Sequence, residues 1–167
     1  MELIIREVDG ADDFDAIADI YVKSWQAAYR GIVPQNYLDG LKPDGWSALL
    51  SKGAFTSFVA VENGNCIGTA SVCAARDETK KGWGELVSIY LLPTYFGKGV
   101  AEQLFQKAIA TLRAQGFSDI YLYVLKENVR ARRFYEKHGF SPTADTLQIE
   151  ISGKPLAEIR YIAHLKK

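Results

Sequence analysis

Hydrophobic positions change their spacing several times along the chain, and each change predicts a new element. Residues 3–8 are apolar and β-branched, which predicts an opening strand. Apolar residues then recur at helical spacing over 14–28, which predicts a helix capped by Asp12 or Asp13 and ended by Gly31. A second, broken helical stretch covers residues 34–51, with a proline near the start of each half.

A two-residue alternation replaces the helical period in the middle of the chain. It predicts strands over 57–62 and 66–76, joined by the turn Asn63-Gly64-Asn65, and a long strand over 83–92. Helical spacing returns over 99–115, where six inward positions are Val100, Leu104, Phe105, Ala108, Ile109 and Leu112. A fully covered strand over 120–125, a helix over 128–138 and two strands around the Ser152-Gly153 turn complete the prediction.

No repeat, low-complexity tract or linker divides these elements. The 167 residues are therefore expected to form one domain, residues 1–167, with a mixed sheet flanked by helices in the α/β (α+β) class. The strands over 83–92 and 120–125 should lie parallel, because a helix connects them by a right-handed crossover.

Composition narrows the classes of partner. Twenty Lys and Arg residues balance twenty Asp and Glu residues, which disfavours a strongly basic nucleic-acid-binding protein. No apolar run approaches the ~20 residues that a membrane span needs. The first residues lack the basic-then-apolar pattern of a signal peptide, so we expect a cytoplasmic protein without nucleic-acid or membrane partners.

The two cysteines and two histidines do not form a reactive or metal-binding pattern. Cys66 and Cys73 lie seven residues apart in one predicted strand, so alternation should turn them to opposite faces. Neither has an evident histidine and acidic partner for nucleophilic catalysis. We therefore expect two free thiols and no metal site.

The segment PTYFGKGVA, residues 93–101, joins a buried strand to a helix through a turn that contains Gly97 and Gly99. Glycines allow the backbone to approach a ligand closely, and the free N–H groups at a helix start attract anions. By shape alone, an ordinary strand-to-helix turn is the favoured interpretation. The chain has no Gly-Lys-Ser/Thr phosphate loop, and two glycines fall short of the three in a dinucleotide-binding fingerprint.

The hexapeptide FGKGVA at 96–101 resembles the pyrophosphate loop of the GNAT superfamily of acyl-CoA-dependent N-acyltransferases, Arg/Gln-x-x-Gly-x-Gly/Ala. Phe96 replaces the usual Arg or Gln. Since this loop binds phosphate mainly through backbone N–H groups, we expect weaker capping of the loop without loss of binding. A second segment, NVRARRFYEKHGF at 128–140, is similar to the helix that follows the fifth strand in the family.

The order of elements also matches this family over nearly the whole chain. The resemblance implies the GNAT fold, with about seven mostly antiparallel strands, one splayed parallel pair and about four helices. It also implies acetyl-CoA as co-substrate, bound by residues of the two segments and of the preceding strand. The positions that bind pantetheine in the family are matched by Ile89, Leu91 and Asn128. The pyrophosphate loop is matched by Gly97, Lys98, Gly99, Val100 and Ala101. Arg132 is a candidate for binding the outer phosphate, although a position on a solvated helix face explains this arginine equally well.

Two residues match positions that carry proton transfer in the family. Tyr135 matches the general acid that protonates the departing thiolate, and the alternative is a tyrosine that only packs beside CoA. Glu85 lies where several members keep a general base, and the alternative is a surface residue that begins a strand. The segment SWQAAYRGIVP at 24–34 resembles the opening of bacterial small-molecule members. The aromatic side chains of Trp25, Tyr29 and Tyr37 are candidates for contact with the acceptor, with core packing favoured for Trp25.

The resemblance therefore predicts an N-acetyltransferase that transfers an acetyl group from acetyl-CoA to a primary amine of a small molecule by direct attack. The alternatives are a non-catalytic acyl-CoA-binding or sensor domain and an acetyltransferase of peptide or protein N-termini. The oligomeric state is left open, with a homodimer among the options.

Overall fold

This computed structural model describes residues 2–166, which contain seven strands and five α-helices. The strands are β1 (Leu3–Glu7), β2 (Thr56–Glu62), β3 (Asn65–Ala74), β4 (Gly84–Leu91), β5 (Asp119–Leu125), β6 (Ser141–Ile151) and β7 (Lys154–His164). The helices are α1 (Phe14–Ala28), α2 (Gln35–Asp39), α3 (Asp44–Ser51), α4 (Val100–Ala114) and α5 (Val129–Lys137).

The helices begin where the sequence supplies a cap or a break. Asp13 caps α1 by accepting a hydrogen bond from the Ala16 N–H at 3.0 Å. The broken stretch over 34–51 is two separate helices, which brings the number of α-helices to five instead of about four. Gly40 follows the end of α2 and Pro43 precedes α3, and a proline cannot continue a helix through its own nitrogen.

The strands form a single sheet in the order β1-β2-β3-β4-β5-β7-β6. All neighbours are antiparallel except β4 and β5, which confirms the predicted parallel pair and its crossover through α4. This pair is registered only at Gly84↔Ile120 and Glu85↔Tyr121. Val87, two residues after Glu85, forms a bulge in β4, because it has no partner in the pairing with β3. From this bulge onwards β4 and β5 are no longer paired.

Helices cover both faces of the sheet, so alternate residues of the central strands are buried on opposite sides. Phe58 packs in the cluster that contains α4, whereas its neighbour Val59 packs in the cluster of α1 and α3. All six residues predicted to face inward from α4 are buried. No helix within residues 2–166 is long and apolar enough to cross a membrane.

Candidate active site

A cavity of about 320 Å³ opens where β4 and β5 separate. Its walls come from α1, β4, β5, the loop before α4, the start of α5, and the hairpin of β6 and β7. Eight residues that the sequence predicted as site residues line it: Trp25, Tyr29, Ile89, Leu91, Gly97, Ala101, Asn128 and Tyr135. The structure thus brings the two motif segments and the first helix to one space.

The start of α4 forms one end of this cavity. Gly97 and Gly99 have φ angles of 76° and 83°, which place both in the left-handed region that favours glycine. Gly99 is the N-cap of α4, and no side chain caps this helix. A Cβ at either glycine would meet no atom within 4 Å, so the space beside the loop is open. The free N–H groups of the first turn therefore fit a phosphate group.

Lys98, Gly99 and Val100 belong to the same loop but are not among the residues that line the cavity. The Lys98 side chain is exposed, with its Nζ 5.7 Å from the centre of the Tyr95 ring. Val100 is buried in the core beneath α4. The Val100 side chain is therefore turned away from any pyrophosphate at the loop, whereas the Lys98 side chain is exposed at the surface beside it.

A cation that the sequence analysis missed lies beside this loop. The guanidinium of Arg130 is 4.3 Å from the centre of the Phe96 ring, and both residues line the cavity. Arg132, in contrast, is not among the lining residues. Its Nε donates to the Tyr161 hydroxyl at 2.8 Å and its Nη1 to the Lys126 carbonyl at 3.0 Å. These contacts brace α5 against β7, and they do not support the phosphate role considered for Arg132.

The gap between the splayed strands leads from the loop to the centre of the molecule. Beyond Glu85, β5 offers no hydrogen-bonding partner to β4, so backbone groups near Ile89 and Leu91 are left for a ligand. Asn128 lies just after β5 and caps α5, accepting a hydrogen bond from the Ala131 N–H at 3.3 Å. This bond uses the amide oxygen and leaves the amide N–H groups as donors.

Tyr135, on α5, is one of the residues that line the cavity. Its ring packs against Phe134 and Phe140, with ring centres 5.5 and 6.1 Å apart. Burial, together with the nearby Tyr90 hydroxyl, raises the pKa of Tyr135 well above its ordinary value. The hydroxyl therefore keeps its proton throughout the neutral range, which is the state that a proton donor requires.

Aromatic side chains of residues 25, 29 and 90 line a further part of the cavity, which we call the aromatic end. The rings of Trp25 and Tyr29 lie edge to face with centres 4.8 Å apart, and burial raises the pKa of the adjacent Tyr90 to about 12. The Ser88 hydroxyl is buried without a hydrogen-bond partner among the described residues, and the buried Trp25 Nε1, which makes no hydrogen bond of ordinary geometry there, lies near the Tyr90 hydroxyl and acts to lower the pKa of Tyr90. Buried polar groups are normally paired, so the Ser88 hydroxyl indicates a place for a ligand. The third predicted aromatic residue, Tyr37, is 39% exposed on α2 and does not line the cavity.

The structure does not bring Glu85 to this cavity. Glu85 is only 3% exposed and pairs with Arg76, whose backbone N–H and guanidinium both donate to the carboxylate. The Tyr121 hydroxyl donates a further hydrogen bond at 2.7 Å. Although burial acts to raise the pKa of Glu85, these hydrogen bonds hold it below its ordinary value. A carboxylate held in this way is a poor proton acceptor, so the base role predicted for Glu85 has no support in its contacts.

We expect Glu85→Gln to destabilise the protein by about 1–3 kcal/mol at pH 7, since charge-assisted hydrogen bonds to Arg76 and Tyr121 are lost. The native pKa of Glu85 is depressed, so its contribution is present above the unfolded value of 4.5 and is lost as the pH falls through the native value. Denaturant unfolding at pH 7 and at pH 3 measures the difference between variant and parent. A difference that stays constant between these pH values would contradict the assignment.

A different carboxylate, Glu158 on β7, lines the cavity beside the aromatic end. Burial raises its pKa, opposed by the positive charge of Arg76. Its negative charge in turn contributes to the raised pKa values of Tyr29 and Tyr90, so it acts on the aromatic end directly. The sequence analysis missed Glu158 because it shares one face of β7 with Lys154, Arg160 and His164, and alternation predicts that such a charged face is turned to solvent.

The sequence and the fold of this chain were compared with those of known proteins. Residues 14–140 match the family model described as the acetyltransferase (GNAT) family. The chain is 32% identical over 152 residues to the uncharacterized N-acetyltransferase YuaI of Bacillus subtilis, which covers 89% of this chain and 86% of YuaI. It is 24% identical over 149 residues to a spermidine N(1)-acetyltransferase of Thermoplasma acidophilum, covering 84% and 89% of the two chains. The fold superposes on the crystal structure of the PaiA N-acetyltransferase of Thermoplasma acidophilum in complex with coenzyme A, with a TM-score of 0.80 and 19% identity over 98% of this chain and 99% of that one.

Proposed function

This chain belongs to the GNAT family of acetyltransferases, and we propose that it transfers the acetyl group of acetyl-CoA to the primary amine of a small molecule. The observation that carries the proposal is the continuity of the cavity. One space connects the uncapped start of α4, the gap between β4 and β5, the buried Ser88 hydroxyl, Tyr135 and the aromatic end. A relative named for spermidine acetylation supports a small amine as the acceptor.

Different residues of the cavity bind different parts of acetyl-CoA, according to the charge and hydrogen-bonding groups that each residue offers. The N–H groups around Gly97, Gly99 and Ala101 hold the pyrophosphate, because the start of α4 carries partial positive charge and has no competing cap. Arg130 adds a full positive charge at the same end, over the Phe96 ring. This arrangement provides a guanidinium beside the loop although its first position is Phe96.

The pantetheine arm lies along the splayed edge of β4, where it accepts and donates hydrogen bonds as a partner strand would. Ile89 and Leu91 supply the backbone groups and Asn128 its free amide N–H groups. A backbone N–H at this edge also stabilises negative charge on the thioester oxygen during attack. The reacting carbonyl is thereby placed near Tyr135.

Acetyl-CoA supplies the acetyl group as a thioester, whose carbon–sulfur bond breaks as the amine nitrogen bonds to the carbonyl carbon. Tyr135 donates its proton to the departing sulfur, and the proton that the nitrogen loses restores the tyrosine hydroxyl. An amine that binds as an ammonium ion releases one proton to solvent before attack, so the nitrogen reacts in its neutral form. We assign Glu85 a positioning role, because its bonds to Arg76 fix the loop that follows β3.

We expect acetyl-CoA at about 100 times its Kd to raise the Tm by roughly 5–10 °C, because a ligand that binds only the native state adds about 2.7 kcal/mol at that ratio. NAD and ATP at the same concentration should have little effect, since the chain has neither of their phosphate-binding motifs. Differential scanning fluorimetry measures all three ligands. Stabilisation by NAD or ATP without an effect of acetyl-CoA would refute the proposal.

Release of free thiol from acetyl-CoA separates an enzyme from a binding domain. With a mixed panel of primary amines, we expect at least one amine to increase the rate of thiol release above the rate with acetyl-CoA alone. A non-catalytic acyl-CoA-binding domain would show the shift in Tm without amine-dependent thiol release.

A further inference from the structure

The aromatic end of the cavity carries a single charge. Among the residues that line the cavity, Glu158 and Arg130 are the charged ones, and Arg130 lies over the Phe96 ring beside the loop. The carboxylate of Glu158 has no hydrogen bond or ion pair with any residue in the described range 2–166. A half-buried carboxylate without a partner is stabilised by a nearby positive charge, and no side chain that lines the cavity beside Glu158 carries a positive charge.

The two arginines on this side of the sheet are already committed to other carboxylates. Arg76, whose charge acts on Glu158, is hydrogen-bonded to Glu85. Arg160, two residues further along β7, binds Asp77 at 2.6 Å and Asp145 at 2.9 Å. Neither guanidinium lines the cavity, so neither is placed to pair with a carboxylate that a ligand brings into it.

The walls around Glu158 suit an apolar body that carries one ammonium group. Trp25, Tyr29 and Tyr90 present aromatic rings, and Ile149 and Ile151 of β6 add aliphatic surface. Aromatic faces attract a cation and also bury apolar groups. An ammonium group placed between them finds its counter-ion in Glu158.

We propose that Glu158 and these aromatic walls select a primary monoamine with an apolar body as the acetyl acceptor. This inference rests on the proposed function and specifies its substrate class. An amino acid would bring a carboxylate towards Glu158, where no free cation lines the wall, so it should bind poorly. A polyamine would bring a second ammonium group that has no second carboxylate to pair with.

A matched series of ligands tests the class on the unaltered protein. Isothermal titration calorimetry in the presence of CoA compares 2-phenylethylamine with phenylalanine, which adds a carboxylate, with ethylamine, which removes the ring, and with spermidine, which adds charge. We expect 2-phenylethylamine to bind at least ~10-fold more tightly than each of the other three, since only it satisfies both the carboxylate and the apolar walls.

Two variants test the role of the carboxylate. In Glu158→Gln the Kd for 2-phenylethylamine should rise about 10-fold or more, because a charge-assisted hydrogen bond is lost, while the Kd for CoA stays unchanged. Glu150→Gln is the control, since Glu150 is an exposed carboxylate on β6 between Ile149 and Ile151. Glu150→Gln should change neither the Kd for 2-phenylethylamine nor the Kd for CoA.

Binding and turnover together distinguish failure of this inference from failure of the proposed function. Equal or tighter binding of phenylalanine or spermidine overturns the inference, and thiol release with either amine would leave the proposed function intact. Selective binding of 2-phenylethylamine without thiol release with any amine of the panel supports the selectivity of the cavity but overturns the proposed function, whereas thiol release with other amines and not with 2-phenylethylamine overturns the inference. Absence of 2-phenylethylamine binding, or an unchanged Kd in Glu158→Gln, overturns the inference.

Discussion

Replacing Tyr135 with phenylalanine is expected to lower kcat by about 10²-fold or more, with little change in the Kd for CoA. The ring keeps its packing against Phe134 and Phe140, so only the hydroxyl is lost. Without a proton donor the sulfur must leave as a free thiolate in a cavity with apolar walls, which raises the barrier. Steady-state kinetics with a thiol readout and CoA titration measure the two quantities separately.

Tyr37→Phe is the matched control for this experiment. Tyr37 loses the same hydroxyl group but is exposed on α2 and does not line the cavity, so its kcat should stay within about twofold of the parent. A rise in the Kd for CoA with unchanged kcat in Tyr135→Phe would mean that this tyrosine only packs beside the co-substrate. The proton-donor role would then be withdrawn.

Replacing Gly99 with valine is expected to raise the Kd for CoA by more than ~10²-fold. Gly99 is the N-cap of α4 at a φ of 83°, a conformation that valine rarely adopts. The substitution shifts the loop and places a branched side chain where the open space beside the N–H groups receives phosphate. Loss of two charge-assisted hydrogen bonds at about 1.5–3 kcal/mol each accounts for an effect of this size.

Gly116→Val separates this loss of binding from simple backbone strain. Gly116 follows the other end of α4 at a φ of 96°, and a Cβ there also meets no atom within 4 Å. The two variants should lose similar stability in thermal unfolding, whereas only Gly99→Val should lose affinity for CoA. Equal affinity in a folded Gly99→Val protein would show that the phosphates bind elsewhere.

The features that depend on near neighbours in the chain were predictable. The six inward residues of α4 follow from helical spacing, and the turn at Gly97 and Gly99 follows from glycines between a strand and a helix. The parallel pair of β4 and β5 follows from the handedness of a single crossover. Each of these is decided within a few residues or by one topological rule, which is why the sequence alone was sufficient.

The choice among similar residues needed the tertiary structure. Arg130 and Arg132 are two positions apart on α5, so their side chains point about 200° apart around the helix axis. Which of them faces the cavity depends on how α5 packs against β7, and nothing local in the sequence records that angle.

The different roles of Glu85 and Glu158 also depend on contacts between residues that are far apart in the sequence. Only in the folded protein does Arg76 meet Glu85 across the loop after β3, while Glu158 lines the cavity without a hydrogen bond or ion pair to the described part of the chain. Local periodicity determined the elements and the mixed sheet, and the resemblance of two short motifs to the GNAT family indicated the loop at the start of α4 and Tyr135 as a candidate acid. The tertiary structure alone decided which carboxylate is paired and which is free, because pairing depends on distances between strands that the sequence pattern does not contain.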